Sequence, residues 1–167
     1  MNPINFSNKT YAEAKEILEQ TDIVNLLSKF GDVRIGGSYY TDLMYGSDID
    51  ITIATNNPKK SAVEFLNKII EQQTFQKYQY GDFENFPRKN RPKDHIVVLI
   101  LPFNDRKWEI EIWFTKKHYQ DQIKLKEKLL KLPTKTKNKI IEAKAKREES
   151  GLDKHSLSSF EIYKKFI

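Results

Sequence analysis

Hydrophobic positions along the chain switch between two periods, and each switch marks a new element. Tyr11, Ala14 and Leu18 recur at helical spacing, with Thr10 and Glu13 placed as a capping box. Thr21-Asp22 interrupts this helix, and a shorter one carries Ile23, Leu26, Leu27 and Phe30 up to Gly31. Residues 33–35 read as a short strand running into Gly36-Gly37-Ser38, and 38–45 as a turn or short helix. Over 48–53 acids alternate with isoleucines, the period-two pattern of a half-buried strand. Pro58 opens a helix to about residue 72, with Val63, Phe65, Leu66, Ile69 and Ile70 inside it. A strand at 75–80, a polar loop at 81–94 with Pro87 and Pro92, and an apolar strand at 95–101 follow. A turn at 103–106 leads into a strand at 107–114, so these last two strands are expected to form a hairpin. The remainder is helical. One stripe holds Tyr119, Ile123 and Leu130, Pro133 breaks it, and a second helix ends at Gly151. A last helix is capped by Ser158 and Glu161, with Leu157 stapled to Ile162. The order predicts an α/β (α+β) fold: a mixed-sheet body over 1–114, and a helical segment over 115–167 packed on it.

Composition narrows what such a body does. The chain has 167 residues, of which 38% are hydrophobic and 31% charged, so one domain with a real core is expected. There is no cysteine, which excludes disulfides, zinc–thiolate sites, iron–sulfur clusters and thiol nucleophiles. The three histidines, His95, His118 and His155, are not at metal-motif spacing, and His118 and His155 carry no signal, so any metal is expected on oxygen ligands. No apolar run reaches the ~18–20 residues of a membrane span, and the first residues lack a signal-peptide core, so a cytoplasmic protein is expected. Charge is uneven. Residues 1–114 hold 14 basic and 16 acidic side chains, whereas 115–167 hold 15 basic and 7 acidic. A basic C-terminal third suits a polyanion such as nucleotide phosphates or RNA, or it is a solvated helix face.

Candidate chemistry concentrates between Gly36 and Ile51. Asp48 and Asp50 lie two apart on one strand, so both carboxylates emerge on one face while Ile49, Ile51 and Ile53 take the other. Two adjacent carboxylates repel, and keeping both ionised calls for a cation. Oxygen ligands at that spacing suit magnesium or manganese. Upstream, Gly36-Gly37 permits close backbone approach, and the amides and hydroxyl at Gly37-Ser38 suit a phosphate. Ser47, just ahead of the acids, joins them as a phosphate-binding candidate. A phosphate cradle beside a carboxylate-held metal points to phosphoryl-type transfer.

Gly37-Ser38, nine intervening residues and then Asp48-Ile49-Asp50 resemble the signature of the DNA polymerase β-like nucleotidyltransferase superfamily. The resemblance implies a twisted mixed sheet with flanking helices and a third acid on a neighbouring strand. Glu109 and Glu111 share one face of 107–114, and spacing does not choose between them. The stretch Trp108 to Trp113 is similar to a Trp-x-hydrophobic-Asp-hydrophobic-Trp pattern of small prokaryotic members, which puts Glu111 in the third position where aspartate is usual. Residues 158–163 also look like an ending found in those proteins.

The resemblance implies transfer of a nucleoside monophosphate from a nucleoside triphosphate to an acceptor hydroxyl, with release of pyrophosphate. Asp48, Asp50 and Glu111 would hold magnesium or manganese, and Gly37 and Ser38 the outer phosphates. The acceptor is an RNA end, a protein hydroxyl or a small molecule such as an antibiotic. A second copy or a partner chain is a possible contributor to the cleft. Two competing readings are a catalytically silent member of the superfamily that binds nucleotide or a partner, and a basic RNA-binding domain. The latter lacks a base-stacking strand signature. Further candidates are Trp113 for stacking, Arg88, Lys89, Arg91 and Lys93 for phosphate or RNA, and Tyr39, Tyr40 and Tyr45 for the nucleoside. Lys135, Lys137, Lys139, Lys144 and Lys146 either line the cleft or face solvent.

Overall fold

The computed structural model describes residues 2–89, 91–152 and 157–167. Two helices, α1 (Pro3–Thr21) and α2 (Ile23–Ser28), lead into β1 (Asp32–Ile35), the one-turn α3 (Gly37–Tyr40) and β2 (Asp48–Ala54). Helix α4 (Pro58–Glu71) is followed by β3 (Lys77–Asp82), β4 (His95–Phe103) and β5 (Arg106–Thr115). Among the described residues, three helices follow: α5 (Gln120–Leu130), α6 (Thr134–Glu149) and α7 (Ser159–Tyr163). The five strands form one sheet in the order β1-β2-β5-β4-β3. Only β2 and β5 run parallel; the other neighbours are antiparallel, with β4 and β5 joined as the expected hairpin. This is the mixed sheet with flanking helices that the alternating patterns predicted.

The isoleucines explain the layering. Ile49, Ile51 and Ile53 of β2 and Ile110, Ile112 and Phe114 of β5 are fully buried on one face of the sheet. Ala14, Ile17, Leu27, Phe65 and Ile69 from α1, α2 and α4 pack with them in one cluster. Complete burial of each such side chain is worth about 1.5–3 kcal/mol, which fixes the register of both strands. A second, smaller cluster gathers Leu43, Leu129, Ile140, Ile141, Ile162 and Tyr163, so the C-terminal helices pack against the turn that follows α3.

Two helix assignments read from the sequence are corrected. Helix α1 begins seven residues before Thr10, at Pro3. Asn2 caps it by accepting from the amides of Ile4 at 2.9 Å and Asn5 at 3.4 Å, and proline at the first position suits a helix start. Thr10 is therefore mid-helix and donates its hydroxyl to the Phe6 carbonyl at 2.9 Å. Glu13 is buried and pairs with Arg106 at the start of β5. On α5 the buried residue is Leu129, not Leu130, which is 40% exposed. The cap of α7 is as expected: Ser158 and Glu161 exchange side chain-to-backbone bonds, and Leu157 and Ile162 share the small cluster.

Candidate active site

The pairing of β2 with β5 sets a carboxylate ladder. Asp48 lies opposite Glu109, Asp50 opposite Glu111, and Thr52 opposite Trp113. The alternate residues are the core isoleucines, so all four acids emerge on the other face. Both glutamate candidates for the third acid share that face with Asp48 and Asp50, so the register does not choose between them. Like charges directly opposite on paired strands destabilise the sheet, and the arrangement calls for nearby positive charge.

Glycines bring the backbone against these acids. The Gly36 amide donates to the Asp50 carbonyl at 2.7 Å. Gly37 has φ 56°, and a Cβ there would sit 1.8 Å from Asp50 Oδ2. Only glycine fits both the left-handed backbone and the carboxylate. A Cβ on Gly46 would likewise lie 2.5 Å from Asp48 Oδ1.

The two rungs open into different cavities. Asp48 and Glu109 line one of about 470 Å³ together with Ser38, Ser47, Lys107 and Lys144. Asp50 and Glu111 line another of about 520 Å³ with Gly37, Thr52, Trp113 and Lys126. Thus Ser38 and Ser47 accompany Asp48, whereas Gly37 accompanies Asp50. Among the described residues, no three His, Asp or Glu side chains stand close enough to hold one metal ion. The acids share a face and adjacent rungs, and their side chains are not gathered to a point.

Basic side chains approach both rungs. Arg91 Nη1 is 3.3 Å from Glu111 Oε2. Lys126, from α5, reaches Gly36, where a Cβ would lie 2.7 Å from its Nζ. Burial pushes the Lys126 ammonium below its ordinary pKa, and the charge of Asp50 opposes that shift. Lys144 is 2% exposed; its Nζ donates to the Leu43 carbonyl at 2.7 Å and to Tyr163 Oη at 2.9 Å. Arg147 is buried beside the same cavity. Its Nη1 donates to the Leu157 carbonyl at 3.2 Å, while Nε has no hydrogen-bond partner among the described residues.

Of the remaining candidates, Trp113 is buried in the second cavity, against Phe83. Within the basic loop, Arg91 reaches the acids and Arg88 stacks on Phe83. The tyrosines pack instead. Tyr39 stacks on Tyr11 with ring centroids 4.8 Å apart, and Tyr45 lies against Phe6. Tyr40, half exposed, lies beneath Lys126. Lys135, Lys139 and Lys146 are exposed on α6, and of the five lysines considered only Lys144 lines either cavity.

Sequence reasoning missed Lys126 and Arg147, whose helices carry many basic residues of equal appearance. It also missed His118, which is buried between two partners. Its Nε2 is 3.0 Å from Asp32 Oδ2, and its Nδ1 is 3.2 Å from Thr52 Oγ1. His155 lies outside the described residues.

No protein-family model matches the chain, and no curated protein does. Solved structures do. The polymerase core of the RNA surveillance complex TRAMP matches over 88% of this chain and 46% of its own, at 20% identity and a TM-score of 0.62. The Cid1 poly(U) polymerase, solved with magnesium and 3'-dATP, matches over 87% of this chain and 46% of its own, at 16% identity and a TM-score of 0.57. A GLD-2/RNP-8 complex matches over 95% of this chain and 56% of its own, at 14% identity and a TM-score of 0.57. These likenesses establish a nucleotidyltransferase-type fold. The chain spans about half the length of the structures it matches.

Proposed function

We propose that the chain is a metal-dependent nucleotidyltransferase of the small prokaryotic kind that its motifs resemble. It would move a nucleoside monophosphate from a nucleoside triphosphate, ATP among the candidates, to an acceptor hydroxyl and release pyrophosphate. One observation carries the reading: in a nucleotidyltransferase-type fold, Asp48, Asp50 and Glu111 emerge on one face of adjacent parallel strands, beside the Gly37-Ser38 bend.

The donors are all carboxylate oxygens on neighbouring rungs, a set whose chemistry suits magnesium or manganese. Asp48, Asp50 and Glu111 would hold the ion only once their side chains swing together from the ungathered arrangement described above, and it would then neutralise charge on the phosphate oxygens. Glu111 is preferred to Glu109 because it shares a cavity with Asp50 and Gly37. On the lower rung, Ser38 and Ser47 hydroxyls with Lys107, Lys144 and Arg147 offer donors and positive charge to the outer phosphates. Gly37 lets the backbone approach without a side chain between. On the upper rung, Trp113 and the apolar side chains Leu125 and Leu129 would line the wall beside the reacting centre. Residues 1–114 act as the catalytic body and 115–167 as the basic segment that completes the cleft. A second copy or a partner chain is the proposed source of any missing acceptor surface.

No helix among the described residues is long and apolar enough to cross a membrane. A cytoplasmic location is proposed separately. A silent nucleotide-binding member is the second reading, favoured by the ungathered acids and by Arg91 on Glu111. Incubation with magnesium and each α-labelled triphosphate, with total RNA or lysate as acceptor, separates the two. Transfer in the wild type that falls about a thousandfold or more in Asp50→Asn supports catalysis. Magnesium-dependent triphosphate binding without transfer to any acceptor supports the silent reading.

A further inference from the structure

Three side chains on three different elements form a hydrogen-bonded chain that ends in the cleft. Asp32 begins β1, His118 precedes α5, and Thr52 lies on β2 two residues beyond Asp50, on the same face. His118 is 8% exposed and both ring nitrogens are partnered: Nε2 by Asp32 Oδ2 at 3.0 Å and Nδ1 by Thr52 Oγ1 at 3.2 Å. Asp32 sits at the surface, with its side chain 62% exposed, and Arg34 Nη2 lies 3.4 Å from the same oxygen. At the other end, Thr52 lines the cavity that holds Asp50 and Glu111.

The partners dictate the direction of the chain. A carboxylate only accepts hydrogen bonds, so the neutral imidazole carries its proton on Nε2 and points it at Asp32. That leaves Nδ1 as an acceptor, and the Thr52 hydroxyl donates to it. The hydroxyl's alternative acceptor, the Arg34 carbonyl, is farther away at 3.5 Å. The oxygen of Thr52 therefore has a base at its proton and lone pairs to offer the cavity. A hydroxyl, an imidazole and an orienting carboxylate in this order are the parts of an activated oxygen nucleophile.

We infer that Thr52 is itself an acceptor hydroxyl, and that the protein transfers a nucleoside monophosphate onto it. The inference rests on the nucleotidyltransferase reading of the same cleft and names an acceptor for it. In the step, Thr52 Oγ attacks the α-phosphorus of a nucleoside triphosphate. A bond forms from Oγ to that phosphorus, the bond from the phosphorus to the oxygen bridging to the β-phosphate breaks, and pyrophosphate leaves. The hydroxyl proton passes to His118 Nδ1, and the resulting imidazolium is held by Asp32. Thr52 then carries a phosphodiester to the nucleoside. The adduct occupies the cavity of Asp50 and Glu111, so the modified protein no longer serves an external acceptor there.

The test uses the full chain with magnesium and each α-labelled triphosphate, and no added acceptor. The expected result is a covalent mass gain of one nucleoside monophosphate, mapped to the peptide containing Thr52. Thr52→Ser retains labelling, Thr52→Val abolishes it, and His118→Asn slows it by about a hundredfold or more, the share of a general base. Asp32→Ala slows labelling and Asp32→Glu restores it, as an orienting carboxylate requires. Circular dichroism and calorimetric triphosphate titration confirm that each variant folds and binds. A nucleotide-free check is nitrogen NMR of His118, which should show the ring proton on Nε2. A proton on Nδ1, an adduct on another residue, or undiminished labelling of Thr52→Val overturns the inference. Triphosphate binding without any adduct overturns it too and leaves the reading of the cleft standing. Failure to bind any triphosphate overturns both.

Discussion

The lower rung of the ladder, Asp48 beside Glu109, and the upper rung, Asp50 beside Glu111, come from the same two strands yet face different surroundings. The lower rung looks toward serine hydroxyls and the buried cations of α6. Around the upper rung are Trp113, Leu125, Leu129 and Tyr163, with Arg91 and Lys126 at its edge. Identical backbone register thus supports a polar, cationic end and an apolar, aromatic end two residues apart along the same strand pair. The sheet fixes where the acids are, while the C-terminal helices decide much of what each acid meets. On the proposed reading, a triphosphate tail would sit at the first end, and the less polar part of a substrate at the second.

Swapping rungs gives the largest effect. Glu111→Gln should lower nucleotidyl transfer about a thousandfold, and Glu109→Gln by no more than about tenfold. Equal losses measured in the α-label assay would show that the rungs are not distinguished. Behind the ladder, Ile51→Ala should cost about 3–4 kcal/mol of unfolding free energy, because the side chain is fully buried in the core. Urea unfolding should register that loss with triphosphate affinity unchanged in the folded fraction.

A smaller stability effect sits at the lower-rung end of β5. Glu13 accepts from Arg106 and from Asn104 Nδ2, so Glu13→Gln should cost about 2–3 kcal/mol, less than a fully buried pair would. Burial alone would raise the Glu13 pKa, but the Arg106 and Asn104 bonds hold it below its ordinary 4.5. A depressed folded pKa means this stabilisation is present above about pH 4.5 and is lost as pH falls through the lower folded value. Acid unfolding of Glu13→Gln should lose that part of the pH slope.

Arg147→Met at the lower rung should weaken magnesium-triphosphate binding by about tenfold, through a lost charge-assisted donor, as read by calorimetry. At the upper rung Arg91→Ala should change unfolding free energy by about 0.5 kcal/mol or less, since that guanidinium is partly exposed. A larger loss in urea would mean the loop bearing Arg91 braces the sheet.

Much of this was legible in the sequence because it is periodic. The Asp-Ile alternation over 48–53 placed the acids on one face, and the Glu-Ile alternation around Glu109 and Glu111 did the same for the partner strand. The Gly37-Ser38 bend was legible because glycine has few other reasons to stand there. The first helix was misread because Thr10 and Glu13 imitate a cap, while the true cap, Asn2-Pro3, lies before any apolar repeat begins. Cleft residues from the C-terminal helices were not legible. Lys126, Lys144 and Arg147 sit among many basic residues, and only tertiary packing selects which are buried. His118 was invisible for a related reason: Asp32 and Thr52 are distant in sequence and meet it only across the sheet.

Calorimetric titration of each nucleoside triphosphate, with and without magnesium, tests the carboxylate ladder most directly when Asp50→Asn is run beside the wild type. Binding to the wild type should depend on magnesium and be weakened about a hundredfold or more in the variant. Binding that ignores magnesium, or that Asp50→Asn leaves unchanged, would contradict that expectation.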